Sequence, residues 1–195
     1  MFFIGLCSLL SQEQIASFSL LGKEMMVKAE EPDDKGDYWL YIDGYPLGSS
    51  SSGGVYLSSK KIEKILIQFK EIRTKYIEWT STAKENNITD FSKEFSVDLS
   101  DFKGYFDYGG WHVDGSISPS ASFVVTESEG NISYCVWIYT NAMQSSSNQY
   151  IDTEKGFVFP FYSLDELDNF ISLFDKDLVD KNFDNKQNID NLFKD

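Results

Sequence analysis

The clearest structural signal in the chain is the segment of residues 62–83, IEKILIQFKEIRTKYIEWTSTA. Apolar residues recur in it at alternating intervals of three and four, which is the spacing of one face of an α-helix. Serine at 58 or 59 can cap the start of this helix, and Asn86 is a plausible stop. We therefore predict one long amphipathic helix over about residues 59–86. The positions on its apolar face are Ile62, Ile65, Phe69, Ile72, Tyr76, Trp79 and Ala83.

Segments typical of β-strands flank this helix on both sides. Residues 38–42, YWLYI, are aromatic and β-branched and run into the turn pair Asp43-Gly44, which predicts a hairpin. After residue 95 the chain becomes a series of short apolar runs separated by tight turns such as Gly109-Gly110. Strands joined by such short links are most simply antiparallel.

A second, shorter helix is expected near the C-terminus. Residues 163–166, SLDE, form a capping box, and apolar residues continue after it at helical spacing. The sequence thus predicts an α+β fold, in which the long helix and a helix over about 164–175 lie on an antiparallel sheet of about five to seven strands.

The length of 195 residues favours a single domain, which we expect to span residues 26–175. Residues 1–25 are predicted to be an N-terminal segment, and the true start can lie after it, at Met25 or Met26. The reason is that codons for Lys23-Glu24, just before Met25-Met26, can resemble a ribosome-binding site. Residues 176–195 alternate Asp, Asn and Lys with isolated apolar residues. They are predicted to be an acidic polar tail that is either disordered or a loosely docked helix.

The charge balance excludes several classes of partner. The chain has 17 Lys and Arg against 31 Asp and Glu, a formal net charge of −14. Phosphate backbones and anionic membranes attract cationic proteins, so direct binding to nucleic acid or to a membrane is not expected. An acidic surface instead attracts a basic protein partner at long range. Simple solubility is the alternative explanation.

Cofactor and membrane sites are not indicated either. The two cysteines, Cys7 and Cys135, form no CxxC pair, and His112 is the single histidine, which excludes a Cys/His zinc site. We expect no metal and no cofactor. No apolar run reaches the roughly 18 residues of a membrane-spanning helix. Residues 2–10 are apolar like the centre of a signal peptide, but no Lys or Arg precedes them and no small-residue cleavage site follows. We therefore expect a cytoplasmic protein.

The most unusual stretch is residues 104–115, GYFDYGGWHVDG, which concentrates four aromatics, two Asp, the histidine and four Gly. A tight hairpin with half-buried aromatics is one interpretation. A contact surface for a partner is the other, because Tyr and Trp dominate protein interfaces. The residues expected to bind a partner there are Asp107, Tyr108, Trp111, His112 and Asp114. The second helix adds Asp165, Glu166 and Asp168.

No catalytic residues are expected. His112 and Asp114 fall on one face of a strand and could form an acid/base pair, but the signal is weak. Cys135 lies in an apolar strand, YCVWI, typical of an inert core thiol, and the serines form no G-x-S-x-G elbow.

These patterns favour a non-enzymatic, acidic protein-binding module. The expected type is a bacterial or phage inhibitor, immunity protein or antitoxin, with counter-defence as one role. It would dock on a basic partner and, if that partner handles nucleic acid, mimic nucleic acid at its phosphate-binding groove. The alternative is an aromatic-lined domain for carbohydrate or nucleotide. A third interpretation joins two copies through the helical seam from Ile62 to Ala83.

Overall fold

A computed structural model describes residues 12–48 and 52–192, the stretch 186–192 by its backbone alone. Three α-helices, α1 Ile62–Glu85, α2 Leu164–Ser172 and α3 Lys176–Leu192, are formed in this part of the chain. Its strands are β1 Glu13–Leu20, β2 Lys23–Ala29, β3 Trp39–Asp43, β4 Tyr45–Pro46, β5 Gly53–Ser58, β6 Phe91–Glu94, β7 Lys103–Asp107, β8 Trp111–Asp114, β9 Ser120–Ser128, β10 Asn131–Tyr139, β11 Gln144–Ser145, β12 Asn148–Asp152 and β13 Phe157–Phe161.

The strands form two large antiparallel sheets, and the predicted α+β class is confirmed. The six-stranded sheet has the order β1-β2-β3-β5-β7-β8, and the five-stranded sheet has the order β4-β13-β10-β9-β6. The sequence predicts a single sheet of about five to seven strands, whereas the structure has two large sheets. The chain passes between the two at Gly44, which joins β3 to β4, and a Cβ there would lie only 2.8 Å from the Phe159 ring. The close approach of Phe159 therefore requires glycine at this bend. A two-stranded hairpin, β11-β12, completes the described part.

The long helix is confirmed, as a 3₁₀ turn over Ser59–Lys61 followed by α1. Its apolar face is buried against both sheets. The Phe69 ring lies 5.5 Å from that of Phe170 and 5.4 Å from that of Phe174, while Tyr76 contacts Phe123 of the five-stranded sheet. The same buried cluster contains Leu40 and other inward residues of the six-stranded sheet. The seam from Ile62 to Ala83 is thus buried within the chain, which argues against the third interpretation, in which it joins two copies.

The shorter helix begins as its capping box predicts. The Ser163 side chain accepts a hydrogen bond from the Glu166 amide at 3.2 Å, and the Glu166 carboxylate accepts one from the Tyr162 amide at 2.6 Å. The helix ends at Ser172 and buries Leu167 and Phe170. Its capped start fixes where the chain leaves β13.

The ends of the described chain differ from the predicted domain boundaries. Residue 25 lies inside the β1-β2 hairpin, so a boundary there would cut through the six-stranded sheet. The predicted tail begins with helix α3, where Val179 and Phe183 are buried. Asn182 of that helix donates a hydrogen bond to the Ile15 carbonyl of β1 at 3.2 Å. The segment 176–185 is therefore part of the packed structure, because two apolar residues four positions apart dock it. Residues 1–11, including Cys7, and 193–195 lie outside the described residues.

Among the described residues, no helix is both long enough and apolar enough to cross a membrane.

We predict that Phe69→Ala lowers the free energy of unfolding by about 3–5 kcal/mol, because it removes the ring at the centre of the packed phenylalanines. Ile67→Ala on the same helix is the matched control, since Ile67 is 61% exposed and should change stability by less than about 0.5 kcal/mol. Urea unfolding followed by circular dichroism measures both. Equal effects of the two substitutions would contradict this assignment of the core.

Candidate functional site

The aromatic stretch singled out above forms the β7-β8 hairpin at an edge of the six-stranded sheet. Asp107 pairs with Trp111 across the hairpin. The turn uses positive φ at Gly109 (66°) and Gly110 (150°), a region that glycine enters without steric cost. The Gly110 amide donates to the Asp107 carboxylate at 3.0 Å, which places Asp107 in the turn itself.

The alternation of the two strands divides the predicted residues between opposite faces of the sheet. Tyr105 and Trp111 lie on the outer face, with ring centroids 5.7 Å apart. Phe106 and His112 lie on the inner face, where their rings stack at 5.4 Å. The hairpin therefore does not present all of its unusual residues to one partner.

The outer face of the sheet carries a continuous group of aromatic rings, which we call the tyrosine face. The Tyr56 ring stacks on that of Tyr41 at 5.2 Å and lies 5.4 Å from that of Trp39, while Tyr41 and Tyr105 meet edge to face at 5.5 Å. These contacts arise because β3, β5 and β7 are adjacent in the sheet and their outward positions are in register. The tyrosine face consists of Trp39, Tyr41, Tyr56, Tyr105 and Trp111.

The buried hydroxyl groups of the tyrosine face have charged acceptors. The Tyr105 hydroxyl donates to the Asp43 carboxylate, and the Tyr41 hydroxyl donates to Glu30 at 2.6 Å. Burial raises the pKa of Tyr105 well above its ordinary value, and the Asp43 charge raises it further. Both phenols are thus neutral donors, and their hydrogen bonds fix the rings in place.

Lys28 connects this hydrogen-bonded network to Trp111. Its ammonium nitrogen lies 3.6 Å from the Asp43 carboxylate and 5.4 Å from the centroid of the Trp111 ring. This cation–π contact and the contact with the Tyr105 ring hold the Trp111 side chain against the sheet. Trp111 remains 41% exposed, and Tyr108 at the turn is 63% exposed. Of the predicted contact residues, these two aromatics are the ones that the hairpin presents to solvent.

Asp114 is not a surface carboxylate, which corrects its predicted role. It is 4% exposed. Its carboxylate accepts hydrogen bonds from the Ser116 amide at 2.7 Å, the Ser116 hydroxyl at 2.6 Å and the Gln144 amide at 2.8 Å. Burial by itself would raise the pKa of Asp114, but these hydrogen bonds outweigh it and lower the pKa. Asp114 therefore joins β8 to the start of β11 and does not contact a partner.

His112 is half-buried and takes part in a structural contact. Its Nδ1 lies 3.0 Å from the Ser145 hydroxyl, which is in turn 3.0 Å from the Ser147 hydroxyl. Ser145 is buried, so it cannot reach a substrate as a nucleophile. Because the Asp114 oxygens are taken by other donors, the acid/base pair considered from the sequence is not formed. The contact instead holds the β11-β12 hairpin against β8.

The acidic residues predicted on α2 are separate from the hairpin, because α2 packs on α1 and β13. Asp168 is held by Arg73 of α1 through two hydrogen bonds of 2.6 and 2.9 Å. Glu166 caps its own helix, as described above, whereas Asp165 is exposed. This arrangement makes Asp168 a structural residue and does not extend the aromatic surface.

Sequence reasoning missed most of the tyrosine face. Trp39, Tyr41 and Asp43 alternate along one strand and so signalled a shared face, but the strands that complete it are remote in sequence. Lys28 and Glu30 come from β2 and the residue after it, and nothing in their local sequence marks them.

No family model matches the chain, and the searches of curated proteins and of solved structures also give no match. Within residues 12–48 and 52–192, no three His, Cys, Asp or Glu side chains are grouped so that they could hold a metal ion.

We predict that Asp114→Asn lowers the free energy of unfolding by about 1–3 kcal/mol at pH 7. Both carboxylate oxygens of Asp114 accept hydrogen bonds, and the NH₂ group of asparagine, which replaces one of them, can only donate. The native pKa of Asp114 is lowered, so its charge stabilises the fold above about pH 3.9, the value in the unfolded chain, and this contribution is lost as the pH falls through the native pKa. The difference between wild type and variant should therefore shrink between pH 7 and pH 3.

Urea midpoints at both pH values measure this difference. Asp34→Asn is the control, because Asp34 is exposed and lies outside the helices and strands, and its difference from wild type should stay near zero at both. A difference for Asp114→Asn that grows on acidification would show that its carboxylate is not the stabilising acceptor described here.

Proposed function

We propose that this chain is a non-enzymatic protein-binding module that presents Tyr108 and Trp111, at the edge of the tyrosine face, to a basic partner. The observation that carries the proposal is that two large aromatics stand exposed on a hairpin whose base is immobilised. Exposed aromatics on a rigid support are the usual composition of interface hot spots.

The rigidity of the base favours binding by these residues. Trp111 rests on Tyr105 and lies beside Lys28, and Tyr105 is tied to Asp43. Because these side chains are already ordered, a partner that covers Trp111 pays little further conformational entropy. Tyr and Trp also combine a large apolar surface with a polar tip, which suits a contact that forms and separates in water.

The charge of the chain supports a basic partner. At −14 it attracts cationic proteins over distances of the order of the Debye length, roughly 8 Å at physiological salt. A protein that handles nucleic acid fits this description, because its phosphate-binding groove is lined with Lys and Arg. A module that docks in this way would act as an inhibitor, an immunity protein or an antitoxin.

We predict that Trp111→Ala weakens binding of the partner by at least about 2 kcal/mol, roughly thirtyfold in Kd, as truncation of a hot-spot tryptophan does. The experiment captures proteins from lysate of the source organism on the immobilised chain at low and moderate salt, identifies the retained protein, and measures its Kd for each variant by titration calorimetry. Tyr108→Ala is expected to act in the same direction.

Tyr162→Ala is the matched control, because Tyr162 is 42% exposed, like Trp111, but lies between β13 and α2. Its Kd should equal that of wild type. Unchanged affinity in Trp111→Ala would contradict the proposal, and a loss confined to Tyr162→Ala would move the contact surface to α2. Quenching of Trp fluorescence by a sugar or nucleotide, without any retained protein, would favour the ligand-binding alternative.

A further inference from the structure

A second surface lies on the other sheet, at the free edge of β6. β6 is the last strand of the five-stranded sheet and pairs only with β9 in the described part of the chain. All four of its residues, from Phe91 to Glu94, are exposed. An uncovered strand edge offers unpaired backbone groups to another extended chain.

The register shows which backbone groups point outward. The Phe95 amide donates to the Ala121 carbonyl of the β9 strand at 2.8 Å. Alternate residues of an antiparallel strand bond to the same neighbour, so Phe91 and Lys93 also face β9. The amides and carbonyls of Ser92 and Glu94 consequently point to the free edge.

An apolar cleft runs beside this edge. It has a volume of about 560 Å³ and lies between β6 and the C-terminal half of α1, with Trp79, Phe91 and Phe123 among its lining residues. Trp79 is held in place, because its ring stacks on Phe95 at 5.0 Å and carries the Lys93 ammonium 4.6 Å from its centroid. A separate depression of about 640 Å³ lies at the other end of β6, along Glu94 and Asp98.

Carboxylates lie at both ends of β6, whereas the one cation of this strand, Lys93, lies over the Trp79 ring on the inner face. Asp90 and Glu94 flank β6 at its two ends, both are exposed, and neither takes part in an ion pair with a described residue. Lys93 is engaged with Trp79, and Lys84 lies over the Tyr134 ring at 5.2 Å. A chain approaching this edge therefore meets uncompensated carboxylates.

We infer that an extended segment of a partner protein, in which apolar residues alternate with Lys or Arg, adds to β6 as a further strand. Side chains of an added strand alternate between the two faces of the sheet. Those on the inner face would enter the cleft over Trp79, Phe91 and Phe123, which requires apolar residues. Those on the outer face would lie beside the Glu94 side chain, which favours Lys or Arg. This site is independent of the tyrosine face.

The test uses a random heptapeptide library displayed on phage and selected on the immobilised full chain. Enriched peptides should alternate apolar residues with Lys or Arg and lack proline. The most enriched peptide, made synthetically, should protect the Ser92 and Glu94 amides from hydrogen exchange. Its analogue with alternate backbone nitrogens methylated should bind at least tenfold more weakly, because methylation removes the donors that a strand needs.

Four protein variants separate this site from others. Glu94→Lys and Phe91→Ala should each weaken the peptide at least tenfold, whereas Glu154→Lys, the same charge change at an exposed position before β13, should not. Trp111→Ala should leave the peptide's affinity unchanged, so failure here and failure of the tyrosine face are distinguishable. The inference would be overturned if no peptide is enriched. It would also be overturned if the peptide's affinity is unchanged by Glu94→Lys, by Phe91→Ala and by methylation of its backbone.

Discussion

Burial of the aromatic face of α1 is the constraint on which the rest of the structure depends. Phe69 sits among Phe102, Phe170 and Phe174, and these contacts tie the long helix to α2 and to the segment that enters β7. The apolar side chains on the inner faces of both sheets join this helix in one buried cluster. The outer face of the six-stranded sheet therefore lies outside that cluster, and it carries the tyrosine face. The same helix forms one wall of the cleft beside β6, so its packing positions both proposed contact surfaces.

The tyrosine face shows how aromatic residues can be ordered outside the main core. An isolated buried hydroxyl would be costly, but Tyr41 and Tyr105 each donate to a carboxylate, so their rings can pack without an unsatisfied polar group. Lys28 balances part of the negative charge beside Asp43. The result is a rigid platform with an exposed tryptophan at its edge, whereas β6 offers backbone groups. The two surfaces therefore suit different kinds of contact.

The features predicted correctly from sequence are those that depend on neighbours in the chain. The spacing of Phe69 and Ile72 places them on one helical face, and the capping box at Ser163 marks the start of α2. The division into two sheets depends on the contact between Gly44 and Phe159, which are remote in sequence. Burial of Asp114 depends on the Gln144 amide, also remote. The sequence around Asp114 does not show this contact, and for that reason its carboxylate was wrongly predicted to lie on the surface.

The most direct measurement of the central claim is hydrogen exchange by mass spectrometry on the full chain, alone and saturated with a basic protein that it retains from lysate. If Tyr108 and Trp111 on the β7-β8 hairpin form the contact, exchange should slow in the turn and in both strands of the hairpin, residues 103–114. Unchanged exchange across those segments in the saturated complex would contradict the claim.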